Sequence, residues 1–559
     1  LKNSLATVSL QFLIPQRIVY LITHEQQERL RPMNVVCRMV FVISLLMIVM
    51  ILPLSAQFNY LETNDLRLVY LPGDAYIVPH LARCFENSFH FHNRMFQYKS
   101  KEKVTLLLHD FNDFGSGGAT VMPWNLVSLG VEPFDYVYET MPTNERMNWL
   151  MNHELMHIVA YDKPANEDNF FRSIFFGKVP PIAENPLSML YSYLTIPRRY
   201  VPRWYHEGIA VFMETWMAGG VGRVLGGYDE MVFRTMVRDS SYFYDIVGLE
   251  SEGTAIDFQI GQNSYLYGTR FLSYLALQYG PEKLLTWFNR NSESNRYYTT
   301  QFEHVYGRSL DDEWNTWTKF EHQWQKENLD SISQYPLTPY KPILQEALGS
   351  VSRPFYDSLS GKLITAINYP GRFANIASID MNKGTIEQIC EVSTPTLYYV
   401  SSLAFDKVSG NMFYTTDNSQ GWRDLNVVNI RNGSSSELLL KDARIGDLAF
   451  NPADKSLWGV RHDNGISTLV RIAEPYTGWF PILTLPYGKD MFDLDISPDG
   501  TQLSASSIEI SGKQRLILAK TEELMNRVDS LHVLFEFENN APENFVFTPD
   551  GRYLVGTSY

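Results

Sequence analysis

Two histidines stand four residues apart with a glutamate directly after the first, in the run His153-Glu154-Leu155-Met156-His157. On a helix this spacing puts both imidazoles on one face, one turn apart, with a carboxylate beside them. That is the minimal set for holding a zinc ion and moving a proton next to it. The chain has 12 His in 559 residues, and random placement would give this pattern roughly 0.02 times in such a chain. A catalytic zinc takes three protein ligands and keeps one position for water, so a third ligand must come from elsewhere. Cysteine does not supply it, because Cys37, Cys84 and Cys390 form no C-x-x-C pair; with Cys37 in the leader and the other two more than 300 residues apart, no disulfide framework is written either. The remaining donors are His206, Glu207 and Glu214 on one downstream stretch, with Asp162 just behind His157. Asp162 reads as the end of the first helix rather than as a ligand.

The elements that must position these groups follow from pattern. Thr143, after Pro142, reads as the N-cap of the first helix, with Glu145 in its first turn and an end near Tyr161. Met147, Met151, Leu155, Ile158 and Val159 form its apolar stripe, and His153 and His157 share the neighbouring face. A second helix is predicted over residues 204–216. Between the two lie about 40 residues rich in Phe, Tyr and Pro, including Phe170, Phe171, Ile174, Phe175 and Phe176; ordinary packing under a long loop is preferred over a lid or a membrane-touching insert. Upstream, residues 66–71 and 103–109 read as strands around a helix over 76–96. Residues 117–130 read as one edge strand from their Gly and Pro content. Its Gly118, Ala119, Thr120, Val121 and Met122 are the candidate substrate-binding positions, since an edge strand can pair with an extended peptide. The glycine-rich run 219–227 follows a helix and lacks a Gly-Lys-Ser/Thr ending, so it reads as a loop rather than a phosphate cradle. Helical spacing resumes over 265–317.

Trp204-Tyr205-His206-Glu207-Gly208-Ile209-Ala210 downstream of His-Glu-x-x-His resembles the gluzincin metallopeptidases, the thermolysin-like and aminopeptidase-like superfamily. The resemblance implies an α+β peptidase domain with one zinc on His153, His157 and Glu207. It implies Glu154 as the general base, Glu214 as a carboxylate supporting a ligand from behind, and Tyr265 as the group that stabilises the oxyanion. Tyr265 stands three residues before Gly268, expected to open a helix, and Tyr267 is the fallback. Two departures matter. Fifty residues separate His157 from Glu207, so the insert must loop out. The edge strand also lacks the Gly-x-Met-Glu-Asn signature that grips a free amine, so the expected activity is that of an endopeptidase.

Length and composition set the frame. A chain of 559 residues exceeds one hydrophobic core, so a multidomain protein is expected. A formal charge of -15 argues against nucleic acid and anionic membrane as partners, leaving proteins, peptides or small molecules. Residues 1–57 read as a leader: Arg38, an apolar run over 39–54 and Ser55-Ala56-Gln57 form a secretory signal with cleavage after Ala56. Met33 is the expected true start. Membrane contact is expected only if this leader stays uncleaved, and the rest of the chain is expected to be periplasmic or extracellular. The peptidase-like domain is assigned to 58–327 and a Pro- and Ser-rich linker to 328–354. Residues 355–559 carry a repeat whose first residues, Tyr356, Phe405, Phe450, Ile496 and Phe547, lie 49, 45, 46 and 51 apart. That period suits one four-stranded blade each, and the Ser/Thr-Pro-Asp-Gly form resembles the blades of TolB-like and WD40-like propellers. Only about four and a half repeats are present, so the propeller is expected to be incomplete at the C-terminus. A rival reading makes the propeller the working part, binding a protein partner on a scaffold that has lost activity. A serine peptidase is excluded by the lack of a complete Gly-x-Ser-x-Gly.

Overall fold

The computed structural model describes residues 58–113, 115–133, 145–217, 227–250, 262–345, 348–369, 372–392, 402–432, 435–526, 531–537 and 542–558. The leader (1–57), Thr143 and the glycine-rich loop over 219–226 lie outside these residues.

The first part is α+β. Strands β1 (Asn59–Glu62), β2 (Leu66–Tyr70), β3 (Val104–His109), β4 (Gly117–Thr120) and β5 (Leu126–Gly130) form one sheet in the order β1-β2-β3-β5-β4. The centre is parallel, β2 on β3 and β3 on β5, and both edges are antiparallel. Helix α1 (Val78–Phe96) makes the crossover between β2 and β3, burying Val78, Leu81, Phe85, Phe89 and Phe96 at helical spacing. The stretch 117–130 is therefore not one edge strand. It turns back after Met122, at Pro123, so that only β4 lies on the edge while β5 is interior, with Val127 and Leu129 fully buried. A proline with no N–H suits the reversal better than a continuous ladder.

Helix α2 (Arg146–Asp162) carries the histidines. Its N-cap is Glu145, whose carboxylate accepts from the backbone N–H of Met147 at 3.2 Å and of Asn148 at 2.9 Å. Glu145 thus does the work expected of Thr143. Every residue from Trp149 to Asp162 is buried, so the helix is surrounded rather than striped. Met147, Met151, Leu155 and Ile158 are fully buried, each contributing about 1.5–3 kcal/mol.

The insert is two helices, α3 (Asn166–Ile174) and α4 (Leu187–Thr195), tied down by polar groups. Asp168 on α3 is buried against Arg290. Helix α4 buries Ser188, Ser192 and Thr195 and exposes Leu187, Met189 and Leu190, because its hydroxyls bond the preceding loop at Ile182 and Val179. Helices α5 (Arg203–Met217), α6 (Gly227–Arg238), α7 (Gln262–Tyr279), α8 (Pro281–Phe288), α9 (Tyr298–Tyr306) and α10 (Leu310–Ile332) complete this part. Helix α10 runs four residues past the start of the predicted linker at 328. No helix among the described residues is long and apolar enough to cross a membrane.

The second part is a propeller-like array of antiparallel sheets over 350–391, 402–440, 445–484 and 489–537, followed by a hairpin over 542–558. The first sheet begins with a short strand at Ser350–Val351, inside the predicted linker. Each sequence repeat falls at a turn between neighbouring strands of its sheet, as at 406–411 and 496–502. Adjacent sheets share cores, for example Ala449 and Trp458 with Met491 and Leu494. The array docks on the first part around a buried cation, with the backbone N–H groups of Arg423, Asn464 and Gly465 donating to the same carboxyl groups that this cation binds. Arg444 binds Asp113 at 2.6 Å, Asp110 at 2.5 Å and Glu132 at 3.3 Å, three carboxylates that follow β3 and β5. Around it, Tyr487 donates to Glu145 at 2.6 Å, and Arg146 faces Asp490 at 3.5 Å.

Candidate metal centre

Helix α5 lies against α2, where the Asn152 side chain donates to the Met213 carbonyl at 3.3 Å. Helix α7 crosses α5 so closely that a Cβ on Gly208 or on Gly268 would come within 3.0 Å of the other helix's backbone. Gly268, expected from sequence to open a helix, does not do so, since α7 starts at Gln262. It lies inside α7 and is the half of a glycine pair that lets two helices meet. Glu207 adjoins one glycine and Tyr265 lies one turn before the other, so this crossing brings both to the histidines.

Three donor atoms converge. His153 Nε2 and His157 Nε2 are 3.2 Å apart, and each is 3.3 Å from Glu207 Oε2. In a tetrahedral zinc site with bonds of about 2.0–2.2 Å, neighbouring ligands stand about 3.3–3.6 Å apart, so this near-equilateral triangle lies at the short end of what one face of such a site needs. Behind it, His153 Nδ1 is 2.8 Å from Glu214 Oε2. An Nδ1–H donating there turns the Nε2 lone pair toward the triangle.

The electrostatics also suit a cation. Glu154, Glu207 and Glu214 are buried beside two imidazoles, and buried carboxylates are costly unless compensated. Burial opposes the positive charge on His153, yet hydrogen bonds to Glu207 and Glu214 outweigh it and push its pKa up to about 9. Burial raises Glu207, but His157 and His153 hold its carboxyl well below the usual range. The donor set of two imidazoles and one carboxylate, with a carboxylate behind one imidazole, fits zinc in kind and spacing. Two other three-donor groups occur among the described residues, His80–Cys84–Glu145 and Asp65–Glu86–His90. In the first, His80 Nε2 sits at hydrogen-bond distance, 2.9 Å, from a Glu145 carboxylate already engaged as a helix cap; the second lies at the surface.

The other candidates divide. The Tyr265 ring stacks at 6.2 Å from that of His153, under the Arg203 guanidinium at 5.6 Å. Tyr267 is instead a core residue among Phe233, Tyr244 and Trp314. His206 stands edge-on to His157 at 5.2 Å, outside the triangle, its pKa depressed to about 3 by burial and by His157. Asp162 ends α2 and binds Tyr98, Asn125, Arg172 and Lys178, so it is no ligand. Strand β4 begins at Gly117 beside Glu154 and, among the described residues, pairs with β5 alone. Of the predicted substrate positions, Gly118, Ala119 and Thr120 lie on this strand; Val121 lies beyond it with its side chain in the core, and Met122 touches Ser192 of the insert. Gly117 and Arg203 are the site residues that sequence reasoning missed, along with the role of Gly208 and Gly268 as a helix crossing. The doubled glycine at 117–118, the Glu-Gly of the second motif and Gly268 after Tyr265 were the signals in the sequence.

Fold and site together define a chain with an α+β part holding a metal-type cluster and a propeller-like part. No protein-family model and no curated protein matches it. Solved structures similar to it include a TolB-assigned protein of Agrobacterium tumefaciens (12% identity, 38% of this chain and 70% of that chain, TM-score 0.31). Others are TolB from Acinetobacter baumannii (13%, 36% and 47%, TM-score 0.30) and an oligogalacturonate lyase from Vibrio parahaemolyticus (12%, 36% and 70%, TM-score 0.25). The propeller assignment rests on the chain's own sheets.

Proposed function

We propose that this protein is an exported zinc-dependent peptidase, an endopeptidase acting on extended peptide segments, whose propeller selects a substrate or protein partner. The observation that carries the reading is the 3.2–3.3 Å triangle of His153, His157 and Glu207, with Glu154 beside an edge strand. A zinc ion held there would supply Lewis acidity and lower the pKa of a nearby water. The chain's own groups do the rest. Backbone N–H and C=O groups of β4 bind the peptide as an added strand and orient its scissile carbonyl. The Glu154 carboxylate takes a proton from the attacking water and returns it to the leaving amine. Tyr265, held between His153 and Arg203, donates a hydrogen bond to the developing oxyanion. Export follows from the leader read in the sequence.

The test is hydrolysis of dye-quenched casein by the purified full chain. Wild type cleaves it, and Glu154→Gln keeps its zinc but loses at least a hundredfold in kcat, in line with the roughly 10²–10⁴ typical of general-base catalysis. Equal rates for the two would sink the assignment. Casein bound but left intact by zinc-loaded wild type would favour the rival reading, a binding protein on an inactive scaffold.

A further inference from the structure

Gly117 is the first residue of β4, and its strand backbone is not in the left-handed region. Nothing in its conformation demands glycine. What demands it is space: a Cβ built there would lie well inside 3.0 Å of Glu154 Oε1 and at 3.0 Å from Leu150 Cδ2. At Gly118, one residue on, a Cβ would meet nothing within 4 Å. The two glycines therefore differ in kind. Gly118 leaves open space beside the strand, whereas Gly117 leaves the room that the Glu154 carboxylate occupies.

We propose that Gly117 is a positioning residue for Glu154: its missing side chain lets the edge strand pass against the carboxylate and fixes that carboxylate between the strand and the donor triangle. The proposal rests on the peptidase reading and deepens it, for it says how the general base is held in register with a peptide paired to β4. The consequence is specific. The atom that must yield to an added methyl is the end of a flexible side chain, so the fold tolerates the change. That same atom is the proton acceptor, so the cost falls on chemistry. A displacement of about 1 Å at a reacting group costs about 10²-fold in rate.

The experiment uses the full chain as wild type, Gly117→Ala, Glu154→Asp and the double variant. Zinc content, thermal stability and dye-quenched casein hydrolysis are measured on each, with a crystal structure of Gly117→Ala. Expected for Gly117→Ala are unchanged zinc content, KM within about twofold and kcat lowered about 10²-fold. In the Glu154→Asp background, where the carboxylate is one methylene shorter, the same change should cost less than about threefold. An equal loss in both backgrounds, or a wild-type kcat in Gly117→Ala, overturns the proposal. The crystal structure decides independently of turnover: the Glu154 carboxylate should be displaced by about 1 Å or more, the room an ordinary van der Waals contact needs. An unmoved carboxylate refutes the positioning role. A displaced carboxylate in a chain whose wild type cuts nothing supports the packing relation and removes the peptidase reading instead.

Discussion

Glu214 offers the sharpest probe of how the centre is built. Its carboxylate is 2% exposed and lies 2.8 Å from His153 Nδ1, and it accepts a hydrogen bond there that fixes which nitrogen faces Glu207. A buried hydrogen bond to a charged acceptor contributes about 1.5–3 kcal/mol, which at 1.4 kcal/mol per decade is roughly 10- to 150-fold in affinity. Measured losses for carboxylates behind metal-bound histidines span about 10–100-fold. Glu214→Gln keeps a neutral acceptor and should lie near the lower end, raising the zinc Kd about tenfold. Glu214→Ala leaves Nδ1 without this acceptor and should raise it about a hundredfold. The assay is competition for zinc against a chromogenic chelator at fixed pH, with circular dichroism to establish that the fold is retained. Zinc affinities within twofold of wild type in both folded variants would refute the claim that Glu214 orients His153 toward a metal.

Further outcomes follow from the same geometry. Tyr265→Phe should lower kcat about 10²-fold with zinc and KM retained, as for loss of one oxyanion donor; Tyr267→Phe should cost about 1 kcal/mol of stability instead, both read by kinetics and denaturant unfolding. Arg444→Leu strands the buried Asp110 and Asp113 without their cation and should cost about 3–5 kcal/mol near neutral pH. Because burial raises the pKa of Asp113, that cost should shrink on acidification, and a pH-independent loss would contradict the reading. Glu132 is pushed up to about 8, first by burial and then by Asp110. The folded chain therefore keeps a proton that the unfolded chain releases above its ordinary value of 4.5, so this group's contribution makes stability fall as pH rises from there to about 8. Glu132→Gln should thus match wild type in Tm near pH 4 and exceed it at pH 9, measured by calorimetry.

Much of the centre was legible because its parts are local. His153 and His157 are one turn apart, and Glu207 sits in a short motif whose glycine turns out to mark the closest helix crossing. The five-fold repeat was legible because each turn recurs at nearly constant spacing. What could not be read depends on distant partners. Gly117 matters through Glu154, 37 residues away, and Arg444 matters through carboxylates 312 to 334 residues earlier. The cap of α2 was misplaced because Thr143 satisfies the local rule, while Glu145 is also held by His80 and by Tyr487 from the propeller. The edge strand was drawn too long because composition marks Pro123 as a non-central residue without saying that the chain reverses there. The insert looked like a loop because α4 buries Ser and Thr, and α3 buries Asp168, rather than an apolar stripe.

The central claim is that His153, His157 and Glu207 hold one catalytic zinc. Elemental analysis of the purified full chain, dialysed against trace zinc, tests it directly. The account predicts about one zinc per chain in wild type and in Glu154→Gln, and loss of it in Glu207→Ala with the fold intact. A folded wild type that takes up no zinc, or a Glu207→Ala that binds it as tightly, would contradict the account.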